Sequence, residues 1–133
     1  MTSIHITREL QLVIDSVQQK KAEQVTVLDL EKLTSFTDYF VICSGESEPQ
    51  LKAIYHHLKE RMEALGIRLH HVEGGSESGW ILMDYDDFIV HIFLPEKRMF
   101  YNLERFWADA PRMDIPEAIP VSGRSVSAGS AIR

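Results

Sequence analysis

The stretch Trp80-Ile-Leu-Met-Asp84-Tyr85-Asp86-Asp87-Phe88-Ile-Val-His91-Ile-Phe93 decides the fold. Two apolar runs, Trp80–Met83 and Phe88–Phe93, flank Asp84-Tyr85-Asp86-Asp87, a pattern that predicts a β-hairpin with an acidic turn. Both runs are nearly continuous in apolar residues, so the strands are expected to be covered on both faces. The surrounding charge is one-sided. From Leu69 to Glu96 there are six carboxylates (Glu73, Glu77, Asp84, Asp86, Asp87 and Glu96) and no Lys or Arg. A dry hairpin with an acidic turn and a Trp at its entrance is either pure framework or a docking surface for something basic.

Outward from the hairpin, the other elements declare themselves by periodicity and caps. Ile6, Leu10, Val13, Ile14 and Val17 fall on one helical stripe, which predicts a helix over residues 3–22, capped by Thr2 or Ser3. Val25–Leu30 alternates and reads as a strand. Tyr39–Cys43 is a short continuous apolar run, as in a central strand. Ser47 then caps a helix with Pro49 in its first turn and Gln50 as capping-box partner; it ends at Gly66. Residues 67–72 read as a third strand and 73–79 as a loop. Residues 97–108 read as a final helix with Phe100, Leu103, Phe106 and Trp107 along one side. The order α-β-β-α-β-β-β-α predicts an α/β sandwich, a mixed β-sheet with helices packed on it. Residues 1–108 are expected to form the single domain. Residues 109–133, rich in Pro, Ser, Gly and Ala, are expected to form a tail with little core of its own.

Composition narrows the function. The 133 residues suffice for one unstapled core, and 44% apolar with 26% charged residues is ordinary for a soluble globular protein. A formal net charge of −6 argues against direct nucleic-acid binding through a basic footprint. The single cysteine, Cys43, sits in an apolar run and reads as a buried small hydrophobe. No apolar run approaches the ~20 residues of a membrane helix, and no signal-like start is visible, so a cytoplasmic setting is expected.

Four chemistries are weighed against the residues. Ser44-Gly45, at a strand-to-helix turn, has the placement of a phosphate cradle for metal-dependent nucleotidyl transfer. That chemistry needs two carboxylates on one strand face, and the strand after the helix offers Arg68, His70 and His71 instead. The histidines show no zinc-like spacing: His56 and His57 are adjacent, as are His70 and His71, so each pair diverges. No G-x-S-x-G elbow is present and Cys43 precedes the turn, so nucleophilic catalysis has no support. A binding module remains, with Trp80, Tyr85, Phe100, Tyr101 and Trp107 near the acidic run. For each apolar member a plain core role is the commoner one, whereas Asp84, Tyr85 and Asp86 in a turn are expected to face solvent.

The segments Thr37–Gly45, Glu73-Gly74, Trp80–Tyr85, Val90–Phe93 and Tyr101–Trp107 together resemble the ribosomal silencing factor (Iojap) family. The resemblance implies a nucleotidyltransferase-like fold that has lost its catalytic carboxylates; no catalytic residue, metal or cofactor is expected. It implies a regulator that binds the large ribosomal subunit through large-subunit ribosomal protein fourteen, blocks joining of the small subunit, and lowers translation under nutrient limitation. It places the contact at Trp80, Asp84 and Tyr85, with Tyr101, Leu103 and Glu104 nearby, and implies homodimers when the partner is absent; Asp86 joins the expected contact through the charge it adds to the turn. Asp86 departs from the family's usual turn Gly. A metal-dependent nucleotidyltransferase-like enzyme is the alternative.

Overall fold

The computed structural model describes residues 4–118. Its elements are α1 (Arg8–Gln19), β1 (Glu23–Asp29), β2 (Tyr39–Ser44), α2 (Glu48–Ala64), β3 (His71–Gly75), β4 (Trp80–Asp84), β5 (Phe88–Phe93), α3 (Pro95–Tyr101), α4 (Leu103–Phe106) and β6 (Arg112–Asp114), with a single 3-10 turn at Ser76–Ser78. The six strands form one mixed sheet in the order β3-β4-β5-β2-β1-β6. Only the central pair β2–β5 is parallel, joined through α2 and the β3–β4 excursion. The remaining pairs are antiparallel. The expected α/β architecture is present.

Strand parity divides the core. Val25, Val27, Val41, Cys43, Ile81, Met83, Val90 and Ile92 pack under the apolar stripes of α1 and α2. Leu28, Phe40, Ile42, Ile89 and Phe93 form a second, smaller cluster on the other face. Among the described residues, α3, α4 and the loops around them cover that face, and this cover is thin.

Four sequence expectations shift. The first helix begins at Arg8, because Thr7 Oγ1 accepts from Leu10 N at 3.1 Å and supplies the cap; Thr2 and Ser3 lie outside the described residues. The third strand is not residues 67–72. Ile67 N donates to Met62 O at 2.9 Å and is still closing α2, so pairing starts at His71 and runs through Gly75. Gly74, at φ +76°, makes this possible, since a Cβ there would collide with the carbonyl oxygen of Trp80. The final helix is two short ones, broken at Asn102, whose φ of 48° and ψ of 57° are left-handed.

The fourth shift concerns the domain edge. Arg112–Asp114 pairs with β1, Thr26 opposite Asp114 and Leu28 opposite Arg112, and Ile115 N donates to Val25 O at 2.8 Å. A boundary at residue 108 would cut off this sixth strand. The rest of the expected tail, residues 119–133, lies outside the described residues.

Candidate functional site: an aromatic and acidic sheet face

β4 is not covered on both faces, as its apolar run suggested. Ile81 and Met83 are buried under α2, whereas Trp80, Leu82 and Asp84, on the opposite parity, are only half-buried. Registered beside them on β3 are Glu73, opposite Leu82, and His71, opposite Asp84. β5, by contrast, is buried throughout.

Aromatic rings continue this strip. Trp80 packs on Phe93 at 4.9 Å between ring centroids and on Tyr101 at 4.5 Å, and Tyr101 meets Phe100 at 5.0 Å. Tyr101 is 45% exposed and Phe100 77%. Glu73, Gly74, Ser78, Trp80, Leu82 and Tyr101 line a shallow hollow of ≈ 230 Å³. Farther along the face Phe36, Phe40 and Trp107 pack together at 6.1–6.2 Å, and Phe36 and Phe106 stand out into solvent. Exposed aromatics gathered on one face are what a protein contact uses.

The rim carries exposed carboxylates: Glu73 on β3 opposite Leu82, and Asp86 and Asp87 in the turn after Asp84, whereas Glu77 lines a separate hollow with Tyr55 and His56 on the α2 side. Asp84 Oδ1 accepts from Asp86 N at 2.8 Å, which fixes the turn, and Asp86 sits at φ 79° in the region its short polar side chain tolerates. Thr37 Oγ1 donates to Asp86 O at 3.0 Å and Asp38 N to Asp87 O at 3.0 Å, so the acidic turn is held against the 31–38 loop.

Three of the sequence-expected contacts stand elsewhere. Tyr85 is 5% exposed and points to the α2 side, stacked on Phe88 at 5.2 Å. Its N donates to Phe88 O at 2.9 Å, so the strand pairing reaches Tyr85 and the turn proper is only Asp86-Asp87. The expectation that Tyr85 faces solvent is therefore wrong. Glu104 is not a free carboxylate: Arg98 Nη2 lies 2.7 Å from its Oε2, and both side chains are nearly buried. Leu103 is half-buried against the smaller cluster. Trp80, Asp84, Asp86 and Tyr101 reach the open face. Leu82 and Phe36 were missed; Leu82 was findable, being two residues from Trp80 on one strand.

The nucleotidyl-transfer alternative loses its cradle. Arg98 Nη1 donates to Ser44 Oγ at 2.9 Å, Gly45 N donates to Phe93 O at 2.9 Å, and Glu46 N donates to Gln50 Oε1 at 2.7 Å. The backbone N–H groups of Gly45, Glu46 and Gln50 are thus engaged within the protein, the last on Ser47 Oγ at 3.3 Å. Burial pushes the Cys43 thiol up to about 12, which leaves it inert. Among the described residues, no group of three or more His, Cys, Asp or Glu side chains is placed to hold a metal.

A family model described as "Ribosomal silencing factor during starvation" matches residues 3–131. The chain belongs to the ribosomal silencing factor family. A ribosomal silencing factor of Halalkalibacterium halodurans is 41% identical over 110 residues, covering 83% of this chain and 94% of that one. A solved structure from Chromobacterium violaceum superposes with a TM-score of 0.74 at 28% identity, covering 79% of this chain and 88% of that one. A mouse protein called "Mitochondrial assembly of ribosomal large subunit protein 1" is 30% identical over 102 residues, covering 74% of this chain and 45% of that one. The silencing-factor family is regulatory and not enzymatic, and its members are ribosome-associated. Among the described residues, no helix is long and apolar enough to cross a membrane.

Beneath the strip lies His91, opposite Leu82 on β5 and 3% exposed. Its Nδ1 accepts the Trp80 Nε1–H at 3.1 Å. Burial pushes its pKa down from 6.5 to about 3, so the ring is neutral in the folded protein. The sign follows from proton counting: below pH 6.5 the unfolded chain binds a proton that the folded one refuses. This contribution to stability is complete above pH 6.5 and is lost as pH falls toward about 3. The steepest loss is about 1.4 kcal/mol per pH unit. Urea unfolding at pH 7 and pH 5 is expected to show it, and His91→Asn to flatten the difference between the two.

Proposed function

We propose that this protein silences translation in the cytoplasm by binding large-subunit ribosomal protein fourteen on the large ribosomal subunit and physically blocking the small subunit. It lowers translation under nutrient limitation. The observation that carries the reading is the half-open strip Trp80–Leu82–Asp84 with Tyr101 beside it, flanked by Glu73 on the neighbouring strand and by Asp86 and Asp87 in the turn. Ribosomal proteins are basic. An acidic rim steers such a partner in and repels bare phosphate, while the aromatic centre supplies the adhesion. The name of the mouse relative, which speaks of large-subunit assembly, supports the choice of subunit. Steric blocking asks for no reacting group, only a patch of about 800 Å² per partner.

In this reading Trp80, Asp84, Asp86 and Tyr101 make the contact, whereas Tyr85, Leu103 and Glu104 hold its frame. Without the ribosome, the same apolar strip pairs two copies of the chain.

Co-sedimentation with isolated subunits tests the proposal. The protein is expected to travel with large subunits and to reduce the yield of joined ribosomes. Equal binding to small subunits, or undiminished joining, overturns it. Trp80→Ala is expected to weaken binding by about 2 kcal/mol, as for a hot-spot aromatic. Asp84→Lys is expected to weaken it by at least ~1–2 kcal/mol and to slow association most at low salt. Asp84→Asn keeps the bond to Asp86 N and removes only the charge, so it separates loss of attraction from loss of the turn. A protein carrying both Trp80→Ala and Asp84→Lys that still blocks joining at parental concentration would place the function on another face.

A further inference from the structure

His91 poses a question that packing alone does not answer. It lies in an otherwise apolar layer, with ring centroids of Phe40 at 4.4 Å, Trp80 at 5.8 Å and Phe93 at 6.1 Å. Because Nδ1 accepts from Trp80, the neutral ring carries its proton on Nε2, and that Nε2–H has no hydrogen-bond partner among the described residues. A buried polar atom without a partner is a standing cost, and a Phe or Leu of similar size would fill the layer without it. What neither could do is accept the indole N–H at this point. The imidazole is thus justified by the one bond it does make, and that bond fixes a half-exposed tryptophan.

The consequence for Trp80 is orientation. An indole at the start of a strand, open on one side, has several rotamers available. The bond to His91 selects the one that lays the ring across Phe93 and Tyr101. A side chain held in its binding rotamer before the partner arrives loses less freedom on association.

We propose that His91 is the positioning residue of this surface: it never touches the partner, and by accepting the Trp80 N–H it presets the indole for a basic protein partner. The inference rests on the docking reading above and adds to it how the surface is kept ready.

The test uses the full chain with three substitutions. His91→Phe removes the acceptor and keeps a ring. His91→Asn places its amide oxygen near the Nδ1 position and is the conservative rescue. His91→Gln is polar but carries its amide farther out, near Nε2. Two tryptophans give two indole N–H signals in a ¹⁵N spectrum, and the signal missing from Trp80→Ala identifies that of Trp80. Solvent exchange of that proton reads orientation without any partner, and co-sedimentation with large subunits reads function.

His91→Phe is expected to melt cooperatively, yet to speed exchange of the Trp80 N–H and to weaken binding, each about tenfold. His91→Asn is expected to restore both to within about threefold of the parent, and His91→Gln is not. If His91→Phe does not fold, the contrast between Asn and Gln carries the test. Parental exchange in both His91→Phe and His91→Gln overturns the proposal. So does faster exchange with parental binding, because Trp80 would then need no presetting. Parental binding by Trp80→Ala is a different failure: it removes the docking reading itself, whatever the exchange shows.

Discussion

Replacing Arg98 by alanine is expected to lower the free energy of unfolding by about 3–5 kcal/mol, the usual loss when one member of a buried ion pair is removed. Arg98 is 8% exposed and ties four segments together. Nε and Nη2 hold Glu104 of α4, Nη1 donates to Gln24 O at 2.7 Å and to Ser44 Oγ at 2.9 Å, and Nη2 donates to Thr26 Oγ1 at 3.2 Å. Without it, Glu104 is left as a nearly buried anion, and a bulged carbonyl on β1 loses its donor. α3 and α4, the thin cover of the sheet, would come loose together, and Tyr101 with them. Urea unfolding checks the size of the effect. Replacing both partners, as Arg98→Met with Glu104→Leu, is expected to recover most of the stability, because no charge is then stranded. A loss below about 1 kcal/mol in Arg98→Ala would mean that solvent screens the pair as it does a surface one.

Tyr85→Ala is expected to cost about 3–5 kcal/mol, as for a large buried aromatic, since it empties the space between Phe88 and α2. Tyr85→Phe, in contrast, is expected to be neutral or slightly stabilising. The phenol oxygen is buried without a hydrogen-bond partner among the described residues, so removing it strands nothing. Burial also pushes the phenol's pKa up, so no charge is lost in that change. Denaturant midpoints of the two variants decide the matter, with subunit binding measured where both are folded. A Tyr85→Ala protein that melts like the parent but fails to bind would restore Tyr85 to the contact surface. An Ala variant that loses stability, beside a Phe variant that keeps both stability and binding, places Tyr85 in the frame.

These two residues mark where local reading stops. The hairpin, the central strand Tyr39–Cys43 and the capped start of α2 were legible because each is written in neighbouring residues: apolar runs broken by a turn, or a Ser two residues ahead of a Pro. The expected capping box is not closed, since Gln50 Oε1 accepts from Glu46 N instead of Ser47 N. The acidic rim was legible for the same reason, since charge can be counted along the chain. Four-residue reading of Asp84–Asp87 hid the fact that pairing continues to Tyr85. Only the bond from Tyr85 N to Phe88 O fixes its parity, and parity decides which face it enters.

Sequence by itself determined that this chain is an α/β protein built around an acidic hairpin, and that it matches the ribosomal silencing factors segment by segment. It did not determine which aromatics stay open. That depends on how thinly two short helices cover one sheet face, and their separation turns on a single left-handed Asn102. Nor did it reveal the sixth strand, where Asp114 meets Thr26 across 88 residues of chain, or the ion pair of Arg98. Such contacts join residues distant in sequence, and no local periodicity encodes them. Only the closed sheet brings them within hydrogen-bond reach, and only there does an unremarkable histidine become the acceptor that holds Trp80.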